Sequence, residues 1–184
     1  MDLVRPGGLI AFVTSRHTLD SQTMMHRKWL DAHAEFVGAV RLPKNAFKRQ
    51  AGTEVVADII FMRKRESPMF GADSAWTQVG NAPAHLMRAG QSLTAYNSFK
   101  RDYVEVARPI NEYFARQPGM VIGELEFQST QYGRQETVPV FDGTDAEFAK
   151  RLSSCMAEIP QGIYKPAPKR SGTNTQTMVL DQIG

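Results

Sequence analysis

The 184 residues include a single cysteine, Cys155. One thiol excludes an intrachain disulfide framework and any centre built from several thiolates, such as a structural zinc site. No apolar run approaches the roughly 20 residues needed to cross a bilayer. The opening Met1-Asp2-Leu3-Val4-Arg5-Pro6 lacks the basic start and apolar stretch of a secretion signal. Together these absences lead us to expect a soluble, cytoplasmic protein with no membrane contact. A further scarcity is local: no acidic residue interrupts positions 36–53. Residues 1–65 carry 11 Lys/Arg against 6 Asp/Glu, whereas 66–184 carry 11 against 13. The net charge of +3 therefore comes from a basic first third, which suits either a polyanionic partner or an ordinary solvated surface. With 42% hydrophobic and 22% charged residues the chain is too apolar for wholesale disorder, and its length allows one domain with or without an appendage.

Periodicity then organises the chain. After Pro6-Gly7-Gly8, the continuous apolar run 9–14 predicts a strand covered on both faces. A helix is expected from Ser21 to Ala34, with Met25, Trp29 and Ala32 on its apolar face. Phe36 to Leu42 reads as a second buried strand, and strand–helix–strand within some 35 residues predicts a parallel pair with a right-handed crossover. A third strand, Val55 to Met62, follows only twelve residues later. That interval shows no amphipathic helix, so an antiparallel return is expected. Further on, Pro109 opens a short helix over Ile110 to Gln117, and short strands are expected at 120–127 and 137–141. Thr144-Asp-Ala-Glu147 is a capping box, followed by a stripe of Phe148, Leu152, Cys155, Met156 and Ile159. The expected divisions are a partial α/β unit over 1–65, a linker or irregular excursion over 66–108, a small α+β extension over 109–164 and a flexible tail over 165–184. Three strands and one helix cannot cover both faces of runs this apolar, so the reading favours the end of a larger domain.

Four segments in fixed order carry a resemblance: 6–15 (Pro-Gly-Gly-Leu-Ile-Ala-Phe-Val-Thr-Ser), 27–30 (Arg-Lys-Trp-Leu), 40–47 (Val-Arg-Leu-Pro-Lys-Asn-Ala-Phe) and 52–61 (Gly-Thr-Glu-Val-Val-Ala-Asp-Ile-Ile-Phe). Over residues 3–65 the series resembles the C-terminal part of the catalytic domain of adenine-N6 DNA methyltransferases of the type I and Eco57I-like kinds. It is closest to phage- and plasmid-borne proteins that join a methylase to a helicase. Weaker likeness runs from Asn111-Glu112-Tyr113-Phe114 to Gly123, and at 160–164. The resemblance implies an α/β fold: the C-terminal part of a Rossmann-like class I methyltransferase sheet, ending in an antiparallel hairpin and followed by an irregular α+β extension. It implies S-adenosylmethionine as the family's cofactor, DNA as a partner, and as a further partner the missing N-terminal methyltransferase half or a helicase domain. The family's Gly-rich cofactor loop and its Asn/Asp-Pro-Pro-aromatic motif are both absent here. Gly7-Gly8 precedes a strand, which is the place of a tight turn. The chain alone is therefore expected neither to bind the cofactor nor to methylate. The alternative reading is a non-catalytic DNA- or partner-binding module.

Ligands of open parallel sheets bind beyond the carboxyl ends of the strands. The expected rim consists of Arg16 after the first strand and of Arg41, Lys44, Asn45, Lys48, Arg49 and Thr53 around the second connection, as DNA-binding residues. By the resemblance, Phe47 would stack on a base drawn out of the duplex. Plainer readings stand beside these: Phe47 as a plug of the sheet edge, the lysines and arginines as a solvated loop, Thr53 as a strand start. Asp58 interrupts an apolar strand and needs a partner, for which Arg41 is the candidate. His26 and His33 share a helix face without a third ligand, and Cys155 reads as a core residue.

Overall fold

The computed structural model describes residues 3–71, 74–129 and 135–164; the tail expected over 165–184 lies outside the described residues. The first apolar run is strand β1 (Leu9–Ser15), entered through a turn in which Gly7 takes φ 71° and donates its N–H to Lys64 O at 2.9 Å. Short α1 (His17–Asp20) and longer α2 (Met25–His33) lead to β2 (Ala34–Arg41). A single helical turn, α3 (Lys48–Ala51), precedes β3 (Ala57–Lys64).

These strands form one sheet in the order β1-β3-β2, with both pairings antiparallel. The antiparallel return of the third strand is as expected. The first two strands run in the same direction, as expected, but they form no parallel sheet, because β3 lies between them and takes the hydrogen bonds of both. No Rossmann-like parallel sheet occurs among the described residues, and the observed class is mixed α/β with small antiparallel sheets. Strand order depends on which edges meet in space, and apolarity alone cannot reveal that.

Two-sided burial of β1 is also corrected. Its residues alternate exposed and half-buried, with Leu9 45% and Val13 59% exposed. Residues directly opposite in a ladder share a face. Leu9, Ala11 and Val13 thus lie on the side of Arg63, Phe61 and Ile59, while Ile60 and Met62 point to the other side and are buried.

The remaining chain covers that second side and, at β2, part of the first, where Val40 lies opposite Ile59 and is buried. Strand β4 (Val79–Asn81) follows a 3-10 turn at Ala75–Thr77, and β5 (Thr94–Asn97) pairs with β6 (Asp102–Glu105) as a ribbon. Strand β7 (Pro109–Asn111) pairs with β4 and runs straight into α4 (Glu112–Arg116), whose N-cap is Asn111. A hairpin of β8 (Glu124–Ser129) and β9 (Gln135–Val140) precedes α5 (Asp145–Glu158). One buried cluster joins Ala39, Val40, Ile60 and Met62 of the sheet to Leu19, Trp76, Phe114, Ile122, Leu125 and Ile159. The span expected to be irregular therefore supplies Trp76, Ala82 and Met87 to the core.

Two glycines permit close approach. Gly38, at the bulge of β2, would place a Cβ 2.6 Å from Ile159 Cδ1. Gly123, at φ 101°, would place one 2.3 Å from Val140 O, which a side chain could occupy only by opening the β8–β9 hairpin. Helix α5 matches its expectation closely: Thr144 accepts from the Glu147 N–H, Glu147 accepts from the Thr144 N–H, Cys155 is buried, and Phe148, Leu152 and Met156 pack on the core. Helix α2 does not. Met25 is 70% and Trp29 50% exposed, while Arg27 and Asp31 join Ala32 on the buried side. Polar residues are favourable there because they satisfy loop groups: Arg27 donates to Thr77 O and Ser21 O, and Asp31 accepts from Trp76 Nε1 and Ser74 Oγ.

Candidate functional site

The ends of β1 and β2 meet the β8–β9 hairpin in a cleft of about 310 Å³. Arg16, Lys44 and Glu54 line it together with Ser15, Gln128 and Glu136. Arg16 lies just past β1 and donates to Thr137 O at 2.6 Å and Glu136 Oε2 at 2.7 Å. The Lys44 ammonium lies 3.7 Å from Glu126, and its backbone N–H is held by Pro139 O. The structure thus brings two of the expected rim cations into one cleft, each facing a carboxylate from the hairpin. The acids arrive from more than 80 residues away, and nothing near 36–53 signals them. Ser15 Oγ accepts from the His17 backbone N–H at 3.4 Å.

Arg41 is 2% exposed and serves a different purpose. Its Nε and Nη2 donate to the two oxygens of Asp58 at 2.8 Å each, and Nη1 reaches Asp20 at 2.7 Å. Asp20 also accepts from the Asn111 N–H, and the guanidinium lies 4.4 Å from the centre of the Phe114 ring. Burial works against the charge, but Asp58 and Asp20 outweigh it and hold the guanidinium above its ordinary pKa. Arg41 answers the need of the buried Asp58 and is not available to a phosphate. It ties β2, β3, α1 and β7 together.

The other expected residues are dispersed. Asn45 donates to Phe141 O at 2.9 Å and borders a separate cleft of about 250 Å³ with Phe148, where its buried Oδ1 has no hydrogen-bond partner. Phe47 is half-buried against the core cluster at the start of α3 and lines neither cleft. Lys48 is exposed and bonds Glu54 at 2.6 Å, a contact that lowers the Glu54 pKa. Thr53 is exposed in the loop before β3. Arg49 lies on α3, and its side chain is outside the described residues.

The other side of the sheet, covered at β2 but partly open along β1, forms a second candidate surface. A groove of about 420 Å³, lined mainly by apolar groups, runs between Leu9, Ala11 and Phe61 of the sheet and Met156, Ile159 and Tyr164 at the end of the described chain. Its outer wall is β1, whose far edge pairs with no strand among the described residues. No helix among the described residues is long and apolar enough to cross a membrane, so this apolar surface is not part of a helical span.

In comparisons with known proteins, the chain matches no family model and no solved structure. A stretch of 70 residues, 38% of the chain, is 34% identical to Defense against restriction protein B of Escherichia phage P1, and the matched region is 3% of that relative's length. That relative is not a methyltransferase catalytic domain. The finding overturns the resemblance to adenine-N6 DNA methyltransferases, and with it the identification as a methylase that uses S-adenosylmethionine. Two of the resembling segments, 6–15 and 52–61, are strand runs with their entries, 27–30 lies within α2 and 40–47 is the end of β2 with the loop after it, local patterns that recur in many folds. Gly7 agrees with this correction, because its N–H is committed to Lys64 O and not to a ligand cradle.

Proposed function

We propose that this chain is a non-catalytic binding module of a restriction-defence protein, docking through the open edge of its three-stranded sheet onto an extended segment of a partner polypeptide. The observation that carries this reading is β1. It has seven residues without a charge, an unpaired edge among the described residues, and Leu9 and Val13 exposed beside an apolar groove. Long apolar edges are usually blunted by charge, proline or a covering element, and an uncovered one is a template for strand addition. The docked strand would gain main-chain hydrogen bonds from β1 and place alternate apolar side chains toward Leu9, Ala11 and the groove. The phage relative supports the context, since almost all of its length lies outside the matched stretch.

The test is co-expression of the chain with the regions of the phage protein that flank the matched stretch. A stable complex is expected with the wild-type chain and not with Val13→Lys, which puts an ammonium on the edge strand. A complex that Val13→Lys leaves intact, or no complex with any flanking region, removes the sheet edge from the function.

A further inference from the structure

We propose that the β5–β6 ribbon is a DNA-engaging finger, in which Phe99 stacks on a base and Lys100 and Arg101 hold the flanking phosphates. Phe99 stands at the tip and is 98% exposed, an arrangement that costs free energy in water unless something covers the ring. Behind it, Tyr96 and Tyr103 face each other across the ribbon with ring centres 5.6 Å apart, edge to face, and both stay more than half exposed. Three aromatic rings on one small ribbon, with two adjacent cations, make up the chemistry of a nucleic-acid stacking platform.

Charge decides between DNA and an apolar protein partner. The cations of the rim cleft face Glu136 and Glu126, and Arg41 is neutralised by Asp58 and Asp20. Lys100 and Arg101 enter no ion pair among the described residues and are exposed. Of the ribbon's carboxylates, Glu105 pairs with Arg108, while the exposed Asp102 accepts from the Tyr103 N–H and keeps its charge, so Lys100, Arg101 and Asp102 together leave the tip with a net charge of +1. The tip therefore presents positive charge around an aromatic ring, complementary to a base and its neighbouring phosphates.

The ribbon is also anchored as a finger must be. Arg108, 4% exposed, donates to Ala82 O and Val106 O at 3.0 Å each, and the Val106 N–H donates to Leu93 O at 2.8 Å. At the tip, Asn97 Oδ1 accepts from the Phe99 and Lys100 N–H groups, which fixes the turn that projects the ring. Arg101 takes φ 52°, so the tip is not a regular extension of the strands. An unpaired base offers the stacking face directly, and a duplex offers it where a wedge opens a base step.

The experiment is fluorescence anisotropy of the full chain with labelled 20-nucleotide DNA, single-stranded in one arm and duplex in the other, at two salt concentrations. Binding in at least one arm is expected, weakened about tenfold by Phe99→Ala. The double change Lys100→Ser/Arg101→Ser should lower the slope of log affinity against log salt by about 1.4 in the single-stranded arm and about 1.8 in the duplex arm. Both changes sit on exposed residues, and unaltered thermal melts would confirm that folding is not the cause. Tighter binding in the single-stranded arm assigns an unpaired base, and tighter binding in the duplex arm assigns a wedged step. Absence of binding in both arms, or equal affinity for Phe99→Ala, overturns the proposal and leaves the ribbon to a protein partner. Val13→Lys should bind DNA as the wild type does, which separates failure of the finger from failure of the sheet edge.

Discussion

Arg41 and Asp58 occupy adjacent strands in register, and the pair is almost wholly inside the protein. Neither ion would be tolerated there alone, because a buried charge without its partner keeps most of its desolvation penalty. Replacing Arg41 by Leu should therefore destabilise the fold by about 3–5 kcal/mol, leaving Asp58 uncompensated. The double change Arg41→Leu/Asp58→Leu should cost less than Arg41→Leu alone, since it removes one of the two carboxylates left behind, and Asp20 keeps the Asn111 N–H. Urea denaturation of the three variants checks this, and a double variant as unstable as the single one would contradict the pairing. Similar reasoning applies to Asp31, which takes both the Trp76 indole and the Ser74 hydroxyl. Its side chain looks misplaced on a helix face only until the loop it serves is considered.

Helix α5 is the element whose stability is most local. Thr144→Ala removes the cap oxygen and should cost about 1 kcal/mol, read as a shift in the urea midpoint with an unchanged slope. Its partner Glu147 is held below the usual carboxylate pKa by the Thr144 N–H and hydroxyl. Because the folded value lies below the unfolded one, this contribution is present above about pH 4.5 and fades as the pH falls through the folded value. Glu147→Gln should remove that part of the acid dependence, seen by comparing urea midpoints at pH 7 and pH 4. This cap was legible because all its atoms lie within four residues. Strands β4 to β7 fell in spans read as linker or helix, whereas the three strands of the first sheet were legible from apolar runs, as was the antiparallel return of β3 from its short connection. The face of α2 was not, because its burial is decided by Thr77, Ser74 and Trp76, some 45 residues away. Nor were the carboxylates that meet Arg16 and Lys44, since they belong to a hairpin whose docking no local pattern records. The ribbon had a faint signal in two tyrosines about a short polar turn, too brief to stand out from the irregular span around it.

At the scale of the whole molecule the sheet is covered unevenly. The core cluster seals one side, while β1 and its groove leave the other partly open. Self-association through that edge is then the expected behaviour of the isolated chain at high concentration. Val13→Lys should raise the concentration at which light scattering appears, while thermal stability stays within about 0.5 kcal/mol, because the side chain is mostly in water. The ribbon lies apart from this surface in sequence and in its contacts, so one module could hold a polypeptide and a nucleic acid at once.

The central position of β3 also governs how the chain comes off the ribosome. Both outer strands are made before the one that joins them, so among the described strands neither has its partner until residue 57 and beyond have emerged. At roughly 5–20 residues per second, β1 waits unpaired for several seconds of synthesis. During that interval it is a naked apolar tether, and a chaperone or the docking strand itself would reach it before its own sheet does.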